Sequence, residues 1–401
     1  MRELEAARQQ ILDALPPPQS ERVALDASEG RVLAAAVMAN VDLPTFDNSA
    51  MDGYAVRAED VRSAGATAPV ALKIVGRIAA GERFAGAIKP GECVRLFTGS
   101  PLPDGADAVV MQEDTNTDAN QPEFVQILDG AKPWENIRLR GVDVRRSEVV
   151  CAKGEILTAG RLALLAGTGT AEIQAGVRPR VGLLATGSEL AEPGTALAPG
   201  RMLESNRLML ASLTRKSGGV PEVFPIVRDT LEATCDALEQ AFACSDFVVT
   251  SGGVSVGELD FVKEAFTSLG GRLDFWKISM RPGRPFVFGR LGEKFLFGLP
   301  GNPVSAFVTF VLLVRPAIRR WQGAREVLSG ECSALLGEPL SNPGERRHFV
   351  RVKLDGKGNV FSAGLQESHA LKSLADADGL LELPPKSSLE AGAIVRVIRL
   401  D

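Results

Sequence analysis

The sequence predicts a multidomain protein of the α/β and β classes, in which one doubly wound α/β domain is joined to β-rich domains. Its 401 residues correspond to several domains at about 100–200 residues each. Strands alternate with helices between residues 179 and 322, which is typical of a doubly wound sheet. On both sides of that region, short β-like runs are separated by turn clusters rich in glycine and proline.

The first part of the chain begins with a helix and continues in strands. The stretch MRELEAARQQILDALPPP predicts a short amphipathic helix that ends at three prolines. Short runs such as GECVRLFTGS and DAVVMQEDT predict a β-rich domain over residues 46–140. Residues 1–45 and 141–178 are expected to form an N-terminal linking subdomain, in which TAGRLALLAGTGTAEI is predicted to be one helix.

The α/β pattern covers residues 179–322 and includes three loops that follow strands. Ligands of doubly wound sheets bind at the carboxyl ends of the strands. The loops ATGSEL, TSGGVSVGELD and GLPGNP are therefore expected to meet at one edge of the sheet. NPVSAFVTFVLLVRPAIRRW is predicted to be the last helix, and residues 326–401 return to short strands, which predicts a small β domain.

Composition excludes several classes of function. The net charge of −5 provides no bulk attraction to nucleic acid. The N-terminus lacks the apolar core of a signal peptide, and the longest apolar run, FVTFVLLV, is far shorter than the ~20 residues that span a bilayer. Five scattered cysteines fit reduced thiols, so we expect a cytoplasmic protein without a membrane or nucleic-acid partner. Two histidines disfavour chemistry based on several imidazoles.

The stretch SGGVSVGELD combines a glycine turn with acids. Gly252 and Gly253 carry no side chains, so backbone N–H groups can approach an anion, and the next helix adds the positive end of its dipole. No Gly-Lys-Ser/Thr follows, so this is not a Walker A loop. Glu258 and Asp260 fit equally well as acids that are favoured in a first helical turn.

Further carboxylates stand at turn positions, namely Asp143 in RGVDV, Glu189 in ATGSEL and Asp229 in VRDT. Asp229 also fits a capping box with Glu232, and Glu189 fits the start of a helix. Magnesium binds one or two carboxylates together with substrate phosphates. The acids and the glycine turn together therefore indicate Mg²⁺ that bridges the protein to a phosphate.

Two rigid loops in the α/β region could form walls of a ligand site. In MRPGRPF, prolines stiffen a corner that carries Arg281 and Arg284, whose guanidinium groups match tetrahedral oxyanions. Lys277 adds charge, although a solvated basic turn is the alternative. In FGLPGNPVSAF, Asn302 fits a helix N-cap and Pro303 the first helical position.

The remaining polar motifs are weak by themselves. PTFDNSAMDGYAV contains the turn signal Asp52-Gly53 and is explained alone by a polar loop. No hydroxyl has a histidine placed to make it a nucleophile, and His369 is expected to orient or pack. The candidate hydroxyl ligands are Thr98, Ser100, Ser255 and Ser368.

Taken in order, these motifs resemble the molybdopterin molybdenumtransferases, a family that includes the C-terminal domain of gephyrin. The similar stretches are DNSAMDGYAV, GSPLPDGADAVVMQED, LLATGSEL, TSGGVSVGELDFVKE, WKISMRPGRP and GLPGNPVSAF, and the resemblance covers nearly the whole chain. It implies an elongated homodimer with a molybdopterin-binding α/β domain. It also implies Mg²⁺-dependent insertion of molybdenum from molybdate into adenylylated molybdopterin, with release of AMP.

The resemblance also implies residue roles. The active cleft would lie between the α/β domain of one subunit and the MDGYA domain of the other. The implied catalytic residues are Asp52, Asp143, Glu189, Asp229 and Asp260, with Glu189 and Asp260 as Mg²⁺ ligands. The implied substrate-binding residues are Thr98, Ser251, Gly252, Gly253, Lys277, Arg281, Arg284, Pro300, Pro303, Arg347, Arg351 and Ser368. Arginine stands at 281 and 284, where the family often has lysine, and Glu367 stands where it has the glycine of GSH.

Two alternatives remain at this stage. The α/β domain alone resembles the molybdopterin adenylyltransferases, which would consume ATP. A non-enzymatic scaffold like gephyrin would bind a receptor peptide without turnover. Expected partners are a second copy of the chain, the adenylyltransferase and other cofactor-synthesis proteins, and the molybdoenzymes that accept the product.

Overall fold

The computed structural model describes residues 1–79, 81–254 and 260–400. In its N-terminal part, two stretches far apart in sequence form small antiparallel pairs around a core that includes Leu33, Cys151 and Leu165. The paired strands are Ser20–Ala24 with Glu172–Gly176, and Val37–Met38 with Val149–Cys151.

The segment TAGRLALLAGTGTAEI is a helix followed by a strand, so the prediction of one helix is wrong. The helix spans Ala159–Gly167 and its N-cap hydroxyl, Thr158, accepts a hydrogen bond from Arg161 N–H. Gly169 adopts a positive φ of 85° just after the helix, a conformation that favours glycine and ends helices. The strand Glu172–Gly176 then buries alternate residues.

A second domain contains a six-stranded mixed sheet. In spatial order its strands are Ala108–Met111, Gly53–Val56, Glu92–Leu96, Val70–Ile78, Phe124–Ile127 and Thr115–Asn116. The two central strands, Glu92–Leu96 and Val70–Ile78, run parallel, and the other pairs are antiparallel. Asn48–Ser49 pairs with Ile137–Arg138 beside this sheet, and Ala58–Val61 is a short helix.

The α/β domain contains a six-stranded sheet with helices on both faces. The spatial order is Val220–Val223, Arg180–Ala185, Phe247–Ser251, Lys294–Leu299, Val287–Leu291 and Arg272–Trp276. The first four strands are parallel, Val287–Leu291 runs in the opposite direction, and Arg272–Trp276 is antiparallel to it. The helices are Asn206–Lys216, Leu231–Cys244, Val262–Ser268 and a final run from Pro303 to Trp321.

That final helical run is not uniform. It is α-helical over Pro303–Thr309, forms a π-helix over Phe310–Val314 and returns to α-helix over Arg315–Trp321. Pro316 lies at the start of the last segment. Because proline cannot donate the usual helical hydrogen bond, the wider turns before it accommodate this residue without ending the helix.

The N-terminal helix, Leu4–Ala14, packs against this final helical run. Its apolar face, with Leu4, Ala7 and Ile11, joins the core of the α/β domain. The helix itself forms as predicted and ends before the prolines. Its packing differs from the expected grouping of residues 1–45 with 141–178, because its buried face completes the α/β core.

The C-terminal domain is a five-stranded closed barrel. Its strands are Arg347–Leu354, Asn359–Ser362, Glu331–Leu336, Ile394–Arg399 and Gly379–Leu383, the last of which pairs back to the first. Leu340–Asn342 pairs with Ser387–Leu389, and Leu371–Ala375 is a short helix. Met280–Arg281, from the α/β domain, adds to the strand Arg347–Leu354. No helix in the described part of the chain is long and apolar enough to cross a membrane.

Candidate active site

Three loops start side by side at the carboxyl edge of the α/β sheet. Ala185, Ser251 and Leu299 are register partners on adjacent parallel strands. Each is the last residue of its strand, so the loops that follow emerge at the same level. The expectation that ATGSEL, TSGGVSVGELD and GLPGNP meet at one edge is confirmed.

Two adjoining cavities, here called the cleft, lie among these loops. The first has a volume of about 330 Å³, and the second about 570 Å³. Both are within the range of small-molecule sites, ~300–1,000 Å³. Thr186, Glu189, Gly301 and Asn302 line both cavities. Pro300 lines the first, and Pro303 lines the second.

The glycine turn forms the floor of the first cavity. Gly252 and Gly253 have positive φ angles of 93° and 68°. A Cβ at Gly252 would lie 2.6 Å from the Thr186 carbonyl oxygen. These glycines therefore allow two loops to approach each other, and the Gly252 N–H donates to the Leu299 carbonyl at 3.0 Å. Glu258 and Ser255, from the same motif, lie outside the described residues.

Ser251 joins the loops rather than presenting a free hydroxyl. Its side chain is buried, accepts a hydrogen bond from the Asn206 amide at 2.7 Å and donates to the Pro300 carbonyl at 3.4 Å. Asn206 also donates to the Gly301 carbonyl at 2.7 Å. Ser251 still lines the second cavity, so its surface remains part of the cleft.

Three predicted acids, Glu189, Asp229 and Asp260, line the first cavity. Asp229 Oδ2 accepts a hydrogen bond from the backbone N–H of Ser188 at 2.6 Å, and Ser188 Oγ accepts one from the Asp229 N–H at 3.0 Å. The carboxylate of Asp229 therefore fixes the turn that carries Glu189.

The capping box predicted for Asp229 and Glu232 is absent from these contacts. The helix Leu231–Cys244 is capped by Thr230, whose hydroxyl accepts a hydrogen bond from Ala233 N–H at 3.2 Å. The prediction failed because Thr230, one residue later, also suits an N-cap. Asp229 consequently belongs to the loop assembly of the cleft.

The donors of the first cavity suit a hard cation such as Mg²⁺. Among the residues that the structure describes, no group of three or more His, Cys, Asp or Glu side chains could hold a metal. Magnesium sites commonly use only one or two carboxylates, with phosphate and water as the other ligands. Glu189 and Asp260, on the wall of one cavity, meet that requirement.

The basic corner lies beside the cleft. Pro285 lines the first cavity, but the neighbouring Arg284 and Arg281 side chains are not part of the described lining of either cavity. Arg346 donates to the Met280 carbonyl at 3.0 Å. Burial and then the charges of Arg284 and Arg281 lower the Arg346 pKa, so positive charge is concentrated here.

Lys277 lies upstream of this corner. Its ammonium group is 3.7 Å from the ring centroid of Trp276, and the ammonium of Lys263 is 4.5 Å from the same centroid. Trp276 is 44% exposed. Lys277 does not line the cleft as described, so its predicted role stays a prediction.

The C-terminal barrel contributes one loop to the cleft. Ser368 Oγ accepts a hydrogen bond from the Asn302 amide at 3.0 Å, and His369 lines the second cavity. Asn302 occupies the N-cap position of the helix Pro303–Thr309, but its side chain makes no capping hydrogen bond. It contacts the barrel loop instead.

Arg351 and Arg347 have structural partners instead of facing the cleft. The Arg351 side chain is fully buried, donating to Ser373 Oγ at 3.0 Å and to the Leu365 carbonyl at 2.7 Å. Arg347 forms ion pairs with Glu5 at 2.5 Å and Glu382 at 3.0 Å. These guanidinium groups support the barrel and its junction, and neither lines the cleft as described, so their predicted substrate contacts stay predictions.

Asp52 and Thr98 form a pair in the second domain, away from the cleft of the same chain. Asp52 Oδ1 accepts hydrogen bonds from Thr98 N–H at 2.8 Å and from Thr98 Oγ1 at 2.9 Å. These bonds, and then the charge of Arg95, lower the Asp52 pKa. Asp143 is exposed in another loop, and none of these three lines the cleft as far as the chain is described.

Sequence reasoning missed two polar residues of the cleft. Thr186 and Asn206 are 9% and 8% exposed, and Thr186 Oγ1 and Asn206 Oδ1 have no hydrogen-bond partner among the described residues. Both line the second cavity. Asn206 is the first residue of the helix Asn206–Lys216, and a position after a strand and loop is the signal that could have found it.

An ion pair of Glu204 with Arg207 holds the base of this helix. Both side chains are buried, Arg207 Nε lies 2.9 Å from Glu204 Oε2, and Arg207 also pairs with Glu192 at 2.7 Å. Glu204 accepts hydrogen bonds from Asn206 N–H and Arg207 N–H as well. The pair fixes the orientation from which Asn206 reaches the loops.

Family models match three consecutive parts of the chain. Residues 2–169 match the MoeA N-terminal region, domains I and II. Residues 182–320 match the model described as "Probable molybdopterin binding domain", and residues 333–400 match the MoeA C-terminal region, domain IV.

Relatives named molybdopterin molybdenumtransferase match nearly the whole chain. Molybdopterin molybdenumtransferase 2 of Mycobacterium tuberculosis is 40% identical over 368 residues, or 90% of each chain. Molybdopterin molybdenumtransferase of Haemophilus influenzae is 35% identical over 401 residues, covering 98% of this chain and 97% of its own. The structure is similar to that of the molybdopterin biosynthesis moeA protein from Pyrococcus horikoshii, with a TM-score of 0.82, 30% identity and 99% of both chains covered. The chain belongs to the molybdopterin molybdenumtransferase family.

Proposed function

We propose that this protein is a transferase that inserts molybdenum from molybdate into adenylylated molybdopterin, forming molybdenum cofactor and releasing AMP. The observation that carries the proposal is the cleft where three strand ends meet. It combines a glycine turn, three acids and a proline-framed wall, in a chain whose relatives are named molybdopterin molybdenumtransferases. The protein is expected to act in the cytoplasm.

The substrate can be divided among the parts of the cleft. The backbone N–H of Gly253 would bind a phosphate oxygen, whereas the Gly252 N–H is used within the fold, where it donates to the Leu299 carbonyl at 3.0 Å. The second cavity, with Asn206 and Thr186, would take the pterin ring, because its unpartnered polar atoms can pair with ring N–H groups. The arginine corner would hold molybdate, a tetrahedral dianion.

Glu189 and Asp260 would hold Mg²⁺ at the first cavity. When bound, the ion would neutralise charge on the phosphates of the adenylate. Asp229 keeps the turn of Glu189 in place through Ser188. The dithiolene sulfurs of the substrate would become ligands of molybdenum, so no cysteine of the chain is required. Cys93 and Cys151 fit that role poorly in any case, because burial raises the pKa of both thiols.

The proposal includes a second copy of the chain. The Asp52–Thr98 pair and Asp143 do not reach the cleft of their own chain. In a homodimer they would complete the cleft of the other copy, with the Asp52 carboxylate held ionised by its two hydrogen bonds from Thr98. The adenylyltransferase that supplies the substrate and the molybdoenzymes that accept the cofactor would be transient partners.

The test is a single assay with pure protein, adenylylated molybdopterin, molybdate and Mg²⁺, in which AMP release and bound molybdenum are followed together. Both should rise, and both should depend on molybdate. ATP consumption with free molybdopterin would replace the proposal with an adenylyltransferase, and binding of a receptor peptide without turnover would replace it with a scaffold.

A matched pair of variants links the reaction to the cleft. Asp260→Asn should stop AMP release while the fold remains intact. Asp236→Asn, on the exposed face of the helix Leu231–Cys244, removes the same charge outside the cleft and should turn over as the parent does. Equal turnover in all three proteins would remove Asp260 from the mechanism.

A further inference from the structure

Two arginines lie side by side on the sheet of the second domain. Arg77 and Arg95 are register partners on the parallel strands Val70–Ile78 and Glu92–Leu96. Neighbouring strands are about 4.8 Å apart, so two positive side chains start from adjacent positions. Both guanidinium groups also lie on the ring of Phe97, with distances of 5.0 Å and 5.4 Å from the ring centroid.

The charge of this pair is not neutralised within the described chain. The ion pairs of the described residues include neither Arg77 nor Arg95. The charge of Arg95 helps to lower the pKa of Asp52, but Oδ1 of that carboxylate is occupied by Thr98. Like charges on neighbouring strand positions are destabilising. A chain that keeps two unpaired arginines there therefore points to an anion that arrives from outside.

Arg95 is held in one orientation. Its guanidinium lies 4.9 Å from the ring centroid of Tyr54, donates to the Gly53 carbonyl at 3.5 Å and contacts the Gln112 side-chain carbonyl. Arg77 is exposed and stacks on Phe97. Stacking uses the flat faces of the guanidinium groups, so N–H groups at their edges stay available for oxygen atoms. The pair is thus preorganised for an oxyanion.

We propose that Arg77 and Arg95 form a binding site for the phosphate of a nucleoside monophosphate group, here the adenylate of the substrate. The inference rests on the proposed function, in which Asp52 and Thr98 of one copy complete the cleft of the other copy. It deepens that function by assigning the phosphate of the leaving nucleotide to the second domain, next to Asp52. Two guanidinium groups provide the bidentate contacts that phosphate oxygens favour.

The first test measures the equilibrium binding of AMP, inorganic phosphate and adenosine to the full-length protein by calorimetry, without molybdate. Arg77→Gln and Arg95→Gln should each weaken AMP binding roughly tenfold or more, since each removes charge-assisted hydrogen bonds. Inorganic phosphate should also bind more weakly to both variants than to the parent. Adenosine, which lacks the phosphate, should bind equally weakly to all of the proteins. Lys73→Gln removes a positive charge from an exposed position on the same strand and should leave AMP binding unchanged.

The second readout is stability. Removing Arg77, which is exposed, relieves repulsion, so ligand-free Arg77→Gln should melt at the same temperature as the parent or higher. AMP should raise the melting temperature of the parent more than that of either variant. If the arginines instead paired with a carboxylate of a second copy, the variants would dimerise more weakly and bind AMP normally, which would overturn the proposal.

The two proposals fail in different ways. If the parent turns over and both variants bind AMP and turn over as the parent does, the phosphate site is overturned and the transferase function stands. If the parent shows no turnover, the proposed function fails. AMP binding that both arginines control would still support the phosphate site in that case.

Discussion

The side-chain amide of Asn302 donates a hydrogen bond to the hydroxyl of Ser368 at 3.0 Å, which joins the α/β domain to the C-terminal barrel at the edge of the cleft. The backbone N–H of Val304 also donates to the Ser368 carbonyl at 3.1 Å. The next residue, His369, lines the second cavity. Ser368 therefore makes two of the contacts that hold the barrel loop at the cleft.

The first prediction tests whether Ser368 positions the barrel loop. Ser368→Ala and Asn302→Ala remove opposite ends of one hydrogen bond, and each should raise the KM for adenylylated molybdopterin several-fold, because the bond is worth ~1 kcal/mol. The double variant should be no worse than either single one. Ser333→Ala, on an exposed barrel position, is the control. Additive effects in steady-state kinetics would show that the two residues act separately.

The second prediction separates the cleft from the helix cap next to it. Asp229→Ala frees the Ser188 turn and should lower turnover about tenfold to a hundredfold by displacing Glu189, as misplacement in active sites commonly does. Thr230→Ala removes the cap and should cost ~1 kcal/mol of unfolding free energy, with turnover retained. Turnover and chemical denaturation of both variants check this. The reverse pattern would return Asp229 to a purely structural role.

The periodicity of the sequence and the order of its strands were sufficient to predict the α/β sheet and the position of the cleft. The alternation of strands and helices after Pro179 gives the α/β sheet. The positions of the three loops after parallel strands then give the cleft, because such strands end at one edge. The glycine turn was also predictable, since Gly252 and Gly253 both need positive φ angles.

Contacts between residues distant in sequence could not be predicted. Only the closed barrel shows that the Arg351 guanidinium is buried and donates to Ser373. The packing of the N-terminal helix on the α/β core likewise has no local signal. Asn206 was missed because a helix start explains its position without reference to Ser251, 45 residues later.

The third prediction concerns the glycine turn. Gly252→Ala should lower the unfolding free energy by several kcal/mol, because left-handed strain of ~1 kcal/mol is added to a clash of the new Cβ with the Thr186 carbonyl. Gly30 is the matched control, with a φ of 71° and no neighbouring atom within 4 Å of the position that a Cβ would take. Gly30→Ala should therefore cost only the strain. Urea denaturation measures the unfolding free energy of both variants. An equal decrease in both would show that the close approach of Gly252 to Thr186 does not limit stability.

The last prediction concerns the pH dependence of stability. Burial, together with the charges of Arg281 and Arg351, lowers the pKa of His348 to about 4, from the ordinary 6.5. Between these values the unfolded chain binds a proton that the folded chain does not, so protonation favours unfolding. The free energy of unfolding should therefore fall as the pH drops from about 6.5 to about 4, by up to ~3 kcal/mol from this residue.

Two variants isolate the contribution of His348 from that of the carboxylates. His348→Gln removes the titrating group, so its unfolding free energy should vary less than that of the parent between about pH 4.5 and 6.5. His369→Gln, at an exposed position, should keep the parental dependence. Urea denaturation across this range measures the difference. If the unfolding free energy of His348→Gln varied with pH as the parent's does, His348 would not titrate as predicted. Because Arg281 and His348 are register partners, this result would also mean that the charge of Arg281 does not shift the His348 pKa.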